Sequence, residues 1–91
     1  MDRHRKRSVD VLEEVEKLSC CICKRRPSDC HHVITVGAGG DDSRSNCIPL
    51  CRRHHQETHL IGVRTFYNKY KSMIDLYYEI CGEVKPDVFD V

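Results

Sequence analysis

Two short chelate spacings do most to limit what this chain can fold into: Cys20-x-x-Cys23 and Cys51-x-x-His54. Each places two metal-binding side chains at the tight spacing of a zinc knuckle, and together they make a closed Cys3His tetrahedron. Such an ion would clamp two segments that lie far apart in sequence. At 91 residues a chain buries a limited core, so a metal staple can carry much of its folding free energy. Cys21 could replace Cys20, but Cys21-x-Cys23 is the poorer chelate loop. The other three cysteines, Cys30, Cys47 and Cys81, have no obvious partners and read as small buried apolar side chains. Seven cysteines in all is an odd number, which argues against a fully paired disulfide framework. The charged start MDRHRKRSVD is not followed by the apolar stretch of a signal peptide, and no run is long enough for a membrane helix. A reducing cytoplasm and metal-bound cysteines are the expectation.

A second set of ligands is separate from the first. His55 and His59, in HHQETH, stand four residues apart, so a helix places them on one face. The pair His31-His32 lies upstream. Two helical imidazoles with one more from the upstream pair could hold an ion and leave positions open, with the remaining histidine free as a base. Between the pairs runs the glycine-rich polar loop GAGGDDSRSN, ending in Asn46. It lacks the Gly-Lys-Ser/Thr ending of a phosphate loop. His55-Gln-Glu-Thr-His59 is not a metalloprotease helix either: its glutamate, Glu57, stands one place late and leaves the water-activating face. A two-Cys, two-His finger fails because the two pairs are too far apart.

Periodicity places these residues on a single α+β domain spanning 1–91, with no internal repeat. Residues 1–8 form a basic arm. Ser8 caps a helix over 9–18 with Val11, Leu12, Val15 and Leu18 on one stripe. Residues 19–30 are the cysteine knuckle. His32 to Val36 is a β-branched strand, 37–46 a loop, and Cys47 to Leu50 a brief or edge strand containing Pro49. A helix follows from Arg52 to Leu60, stopped near Gly62. Val63 to Lys71 and Met73 to Cys81 are further helices, the first with Val63, Phe66, Tyr67 and Tyr70 inward. The tail over 83–91 is expected to fray. Tyr77, Tyr78 and Ile80 could cover a partner or a second copy.

The net charge is +1, but it is lopsided. Residues 1–71 carry +5 and residues 72–91 carry −4. Arg3, Arg5, Lys6 and Arg7, then Lys24, Arg25 and Arg26, then Arg52 and Arg53 form basic clusters that suit a polyanion such as DNA. Two of these clusters flank the candidate metal residues.

The segments CCICKRRPSDCHHV, GAGGDDSRSNCIPLC and RRHHQETH, running from Cys20 to His59, resemble the HNH, or ββα-metal (His-Me finger), nuclease superfamily. The nearest likeness is to small phage HNH proteins of the recombination-associated Ref-like kind. The resemblance implies a zinc-stapled ββα-metal core over 20–59 with flanking helices. It implies that His31, His55 and His59 bind the reactive divalent ion, that His32 is the general base, and that Asn46 orients it. Many relatives have Asp where this chain has His31. Three imidazoles favour a borderline transition ion over Mg²⁺, so Mg²⁺, Mn²⁺, Ni²⁺ and Zn²⁺ are all candidates. Arg25, Arg26, Arg52 or Arg53 would clamp phosphate.

The expected function is a metal-dependent DNA endonuclease that hydrolyses phosphodiesters with a His-activated water, acting in the cytoplasm of a bacterial host if phage-encoded. With no recognition domain after Val91, intrinsic sequence specificity should be low. A homodimer, a phage or recombination partner, or the basic arm would have to supply more. The rival is a non-catalytic zinc-stapled DNA-binding or assembly module, against which the full set His31, His32, Asn46, His55 and His59 argues.

Overall fold

The computed structural model describes residues 9–86, so the basic arm over 1–8 and the tail over 87–91 lie outside the described residues. Helix α1 covers Val9–Glu16, strand β1 Asp29–His32, and strand β2 Cys47–Leu50. Helices α2 (Arg52–Ile61), α3 (Val63–Lys69) and α4 (Lys71–Cys81) follow. This is a small α+β arrangement. None of the described helices is long and apolar enough to cross a membrane.

β1 and β2 pair antiparallel, with Cys30 opposite Pro49, His31 opposite Ile48 and His32 opposite Cys47. Alternation along a strand then sorts the side chains between two faces. Asp29 and His31 look toward α2, where Asp29 bonds Arg52 and His55. Cys30 and His32 take the other face, where Glu16 of α1 lies near enough for its charge to act on Cys30. Adjacent histidines thus serve different neighbourhoods.

The core joins Ile48 and Leu50 to Val33, Phe66, Tyr67, Ile74 and Tyr78, with Cys20, Cys21 and Cys51 at its knuckle end. Fully burying a side chain such as Phe66 or Ile74 contributes roughly 1.5–3 kcal/mol. α4 also holds the long loop. The Tyr78 hydroxyl donates to the Ser45 carbonyl at 2.8 Å, and Arg44 donates to the Tyr77 hydroxyl at 3.0 Å. The two tyrosines expected to cover a partner therefore brace this chain's own loop, whereas Ile80 stays 75% exposed.

Several boundaries differ from the sequence expectation. The first strand lies at Asp29–His32, not His32–Val36. Its β-branched successors yield to turn chemistry: Thr35 caps a 3-10 turn over Val36–Ala38, its hydroxyl accepting from the Ala38 N–H. α1 ends two residues early, at Glu16. The last two helices meet at Tyr70, between Lys69 and Lys71.

Candidate active site and metal centres

α2 begins at the knuckle. Cys51 is its N-cap residue and His54 lies on its first turn, so both point at the Cys20–Cys23 turn. Sγ of Cys23 and Cys51 are 3.7 Å apart, Nδ1 of His54 is 3.6 Å from Sγ of Cys20, and it is 3.2 Å from Sγ of Cys51. A tetrahedral zinc with ordinary bond lengths requires S–S edges of roughly 3.8 Å and S–N edges of roughly 3.5 Å. Two of the three separations match those edges within about 0.1 Å, and the third is shorter. These four residues fit a closed metal site. Burial raises the Cys20 thiol, but backbone N–H groups of Cys23, Cys51 and Ile22 outweigh it and leave its pKa below the ordinary value. Cys21 is the opposite case. Burial first, then the neighbouring Cys20, push it up to about 12, so it stays a neutral core thiol.

One residue further along α2, the side chain turns to the other site. The rings of His55 and His59 are 5.0 Å apart, and His31 on β1 stands 5.1 Å and 5.6 Å from them. Nε2 of His31 is buried with no hydrogen-bond partner. Burial, then the positive charge that His55, His59 and His32 would carry, lower its pKa to about 3. The ring is therefore neutral near pH 7, with a lone pair to offer. Nδ1 of His55 lies 3.0 Å from Oδ2 of Asp29. A carboxylate only accepts, so Nδ1 carries the proton and Nε2 is left to bind. That bond, despite burial, keeps the Asp29 carboxyl below its usual range, with help from Arg52. An orphaned buried nitrogen among three imidazoles, one of them backed by a carboxylate, fits a divalent ion. His59 is exposed, so this set opens to solvent, unlike the knuckle.

His32 shares the cleft of about 240 Å³ with His31, His55, His59, Cys30, Thr35 and Val36. Its Nε2 is 2.8 Å from Oδ1 of Asp42, a residue only 2% exposed. The same reasoning puts a proton on Nε2 and the free lone pair on Nδ1. Asn46 works one step away. Its side-chain oxygen accepts from the Ile34 N–H, its amide donates to the carbonyls of Ile34 and Asp41, and its own carbonyl accepts from the Val33 N–H. It thus fixes the backbone just after His32, while Asp42 holds the ring. Gly40 makes this packing possible. A Cβ there would come within 1.8 Å of the Ile34 carbonyl oxygen and 2.9 Å of Nδ2 of Asn46.

None of the four candidate arginines lines the cleft. Arg52 donates through Nε to Asp29 at 3.0 Å. Arg25, Arg26 and Arg53 are exposed around the knuckle. Asp29 and Asp42 escaped the reading of the sequence. Asp29 shares a strand face with His31, two residues on, but only once the strand is placed at Asp29–His32 rather than His32–Val36. Asp42 carries no such signal beyond the acidic pair in the loop. Cys30 and Cys47, expected to be isolated buried thiols, instead stand together with His32.

The chain matches the family described as "Putative HNHc nuclease" across residues 5–85. It is also 37% identical over 65 residues to the uncharacterized protein YdfU of Escherichia coli K12, a stretch that covers 68% of this chain and 18% of that protein. The match to the family spans most of the sequence and includes the knuckle, both strands and the histidine helix. The chain belongs to the HNH nuclease family.

Proposed function

We propose that the protein is a metal-dependent DNA endonuclease, of the kind found in small phage HNH proteins, that hydrolyses phosphodiester bonds with little sequence preference of its own. The observation that carries this reading is the buried, unpartnered Nε2 of His31 facing two imidazoles of α2, with His32 in the same cleft. His31, His55 and His59 would hold the reactive ion, and Cys20, Cys23, Cys51 and His54 a structural zinc. When bound, the reactive ion supplies charge relief at the phosphoryl oxygens and at the departing 3′ oxygen.

The chain's own groups do the rest. Nδ1 of His32 takes a proton from the attacking water, and Asp42 holds Nε2–H and stabilises the imidazolium that forms. Water oxygen bonds to phosphorus as the bond to the 3′ oxygen breaks. Asn46 keeps the strand end and the loop in place beneath this ring. Arg53, Arg25 and Arg26 supply positive charge for the flanking phosphates, and Arg52 joins them while it also holds Asp29.

Supercoiled plasmid incubated with the protein and Mg²⁺, Mn²⁺, Ni²⁺ or Zn²⁺, against an EDTA control, tests the proposal. Metal-dependent nicking or linearisation, lost in His32→Ala, is the expected outcome. DNA retention without cleavage under every metal would favour the non-catalytic binding module.

A further inference from the structure

A third group of ligands lies on the far face of the sheet. Cys30 and His32 are two apart on β1 and so share a face, and Cys47 on β2 is directly opposite His32. The two sulfurs and a ring nitrogen of His32 lie within 4.8 Å of one another. Neither cysteine is in a disulfide. Cys47 is buried, whereas Cys30 and His32 line the cleft. A soft ion could therefore reach this group from the same opening that admits substrate.

We infer that Cys30, His32 and Cys47 form a second thiolate metal site, selective for soft or borderline ions such as zinc, whose occupancy switches off the catalytic base. Two thiolates and one imidazole are a soft donor set that discriminates against Mg²⁺ and Mn²⁺. Asp42 on Nε2 is the carboxylate that orients a metal-bound histidine. It also leaves a single lone pair, on Nδ1, for everything else. That lone pair cannot hold an ion and accept a proton from water at once. Zinc here and catalysis at His32 are mutually exclusive, a consequence that rests on the role proposed for His32 above.

Cobalt added under reducing conditions to protein carrying a single equivalent of zinc, which the four-residue knuckle takes first, separates the sites, because a zinc-filled knuckle is spectroscopically silent and the His31, His55, His59 set has no sulfur. The expected result is a thiolate-to-cobalt charge-transfer band that saturates at one equivalent and is lost in Cys30→Ser and in Cys47→Ser. Cys30 is half-buried, so its variant should keep the fold even if loss of the buried Cys47 thiol disturbs it. No such band in the parent, or a band unchanged in Cys30→Ser, would overturn the site. In plasmid cleavage with Mn²⁺, added zinc should inhibit the parent at a concentration about tenfold lower than it inhibits Cys30→Ser. Equal inhibition of the two would overturn the switch. A parent that cleaves nothing with any metal would instead refute the nuclease reading, leaving the cobalt band to judge the site by itself.

Discussion

One helix, α2, feeds two ligand sets of opposite character. At its first turn, His54 closes a buried cage with three cysteines. One residue on, His55 turns to an open cleft with His59 and His31. The cage offers four side chains to an ion and leaves no position for a substrate, and it joins the knuckle before β1 to the helix after β2. The open set has three, and His59 faces solvent. The difference teaches that residue type and access would divide the roles under the proposed function: sulfur-rich and closed for folding, imidazole and open for chemistry. It also makes the two sites separable by experiment.

The largest effect should come from the cage. Cys51→Ser removes a ligand and the link between the strands and α2 together. Structural zinc commonly contributes about 10 kcal/mol or more of folding free energy, so this variant should be unfolded by circular dichroism at room temperature. His55→Ala should instead keep its fold and lose affinity for the second ion in a calorimetric titration. Comparable unfolding in both variants would erase the distinction between the sites.

Within the open site, ligand and base should part. His32→Ala is expected to lose roughly 10²–10⁴ in cleavage rate while Mn²⁺ affinity, measured by calorimetry, stays near the parental value. Parental cleavage by this variant would move the base elsewhere, with His31 the first alternative.

A smaller effect is expected where the loop is packed. In Gly40→Ala the new Cβ meets the Ile34 carbonyl at 1.8 Å, and backbone has to move. A loss of about 1–3 kcal/mol in denaturant unfolding should accompany slower cleavage, because the Ile34–Asn46 bonds lie beside His32. Gly37→Ala is the control, since nothing lies within 4 Å of a Cβ there.

The smallest concerns pH. His31 falls from 6.5 to about 3 in the fold, so below pH 6.5 the unfolded chain takes up a proton that the folded ring refuses. Stability is full above 6.5 and declines as pH falls toward 3, by about 2 kcal/mol at pH 5 without the reactive ion. Denaturant midpoints of the parent should drop between pH 7.5 and pH 5 by more than those of His31→Gln. Equal drops would show that the ring is not held neutral.

Much of this was legible in the sequence because chelate spacing and helical i, i+4 spacing are local. The grouping of Cys20, Cys23, Cys51 and His54, the His55–His59 pair and the second strand at Cys47–Leu50 all follow from separations of a few residues. What escaped depends on pairing between segments. The contact of Asp42 with His32 spans ten residues of loop, and the meeting of Cys30 with Cys47 exists only once β1 and β2 are in register. The first strand was misplaced because Val33 to Val36 has β-branched side chains, yet the Thr35 cap turns the backbone there. The glycine-rich loop uses its glycines for two reasons: Gly39 takes a backbone angle of φ 97°, whereas Gly40 is required for space.

The most direct test follows cleavage and fold together on one sample. The protein is treated briefly with EDTA and assayed for plasmid cleavage and far-ultraviolet circular dichroism, then supplied with Mn²⁺. The account predicts that cleavage disappears while the helical signal stays, and that Mn²⁺ restores cleavage without refolding. Cleavage that survives the chelator, or that vanishes only as the fold is lost, would contradict a closed structural site and an open reactive site sharing one helix.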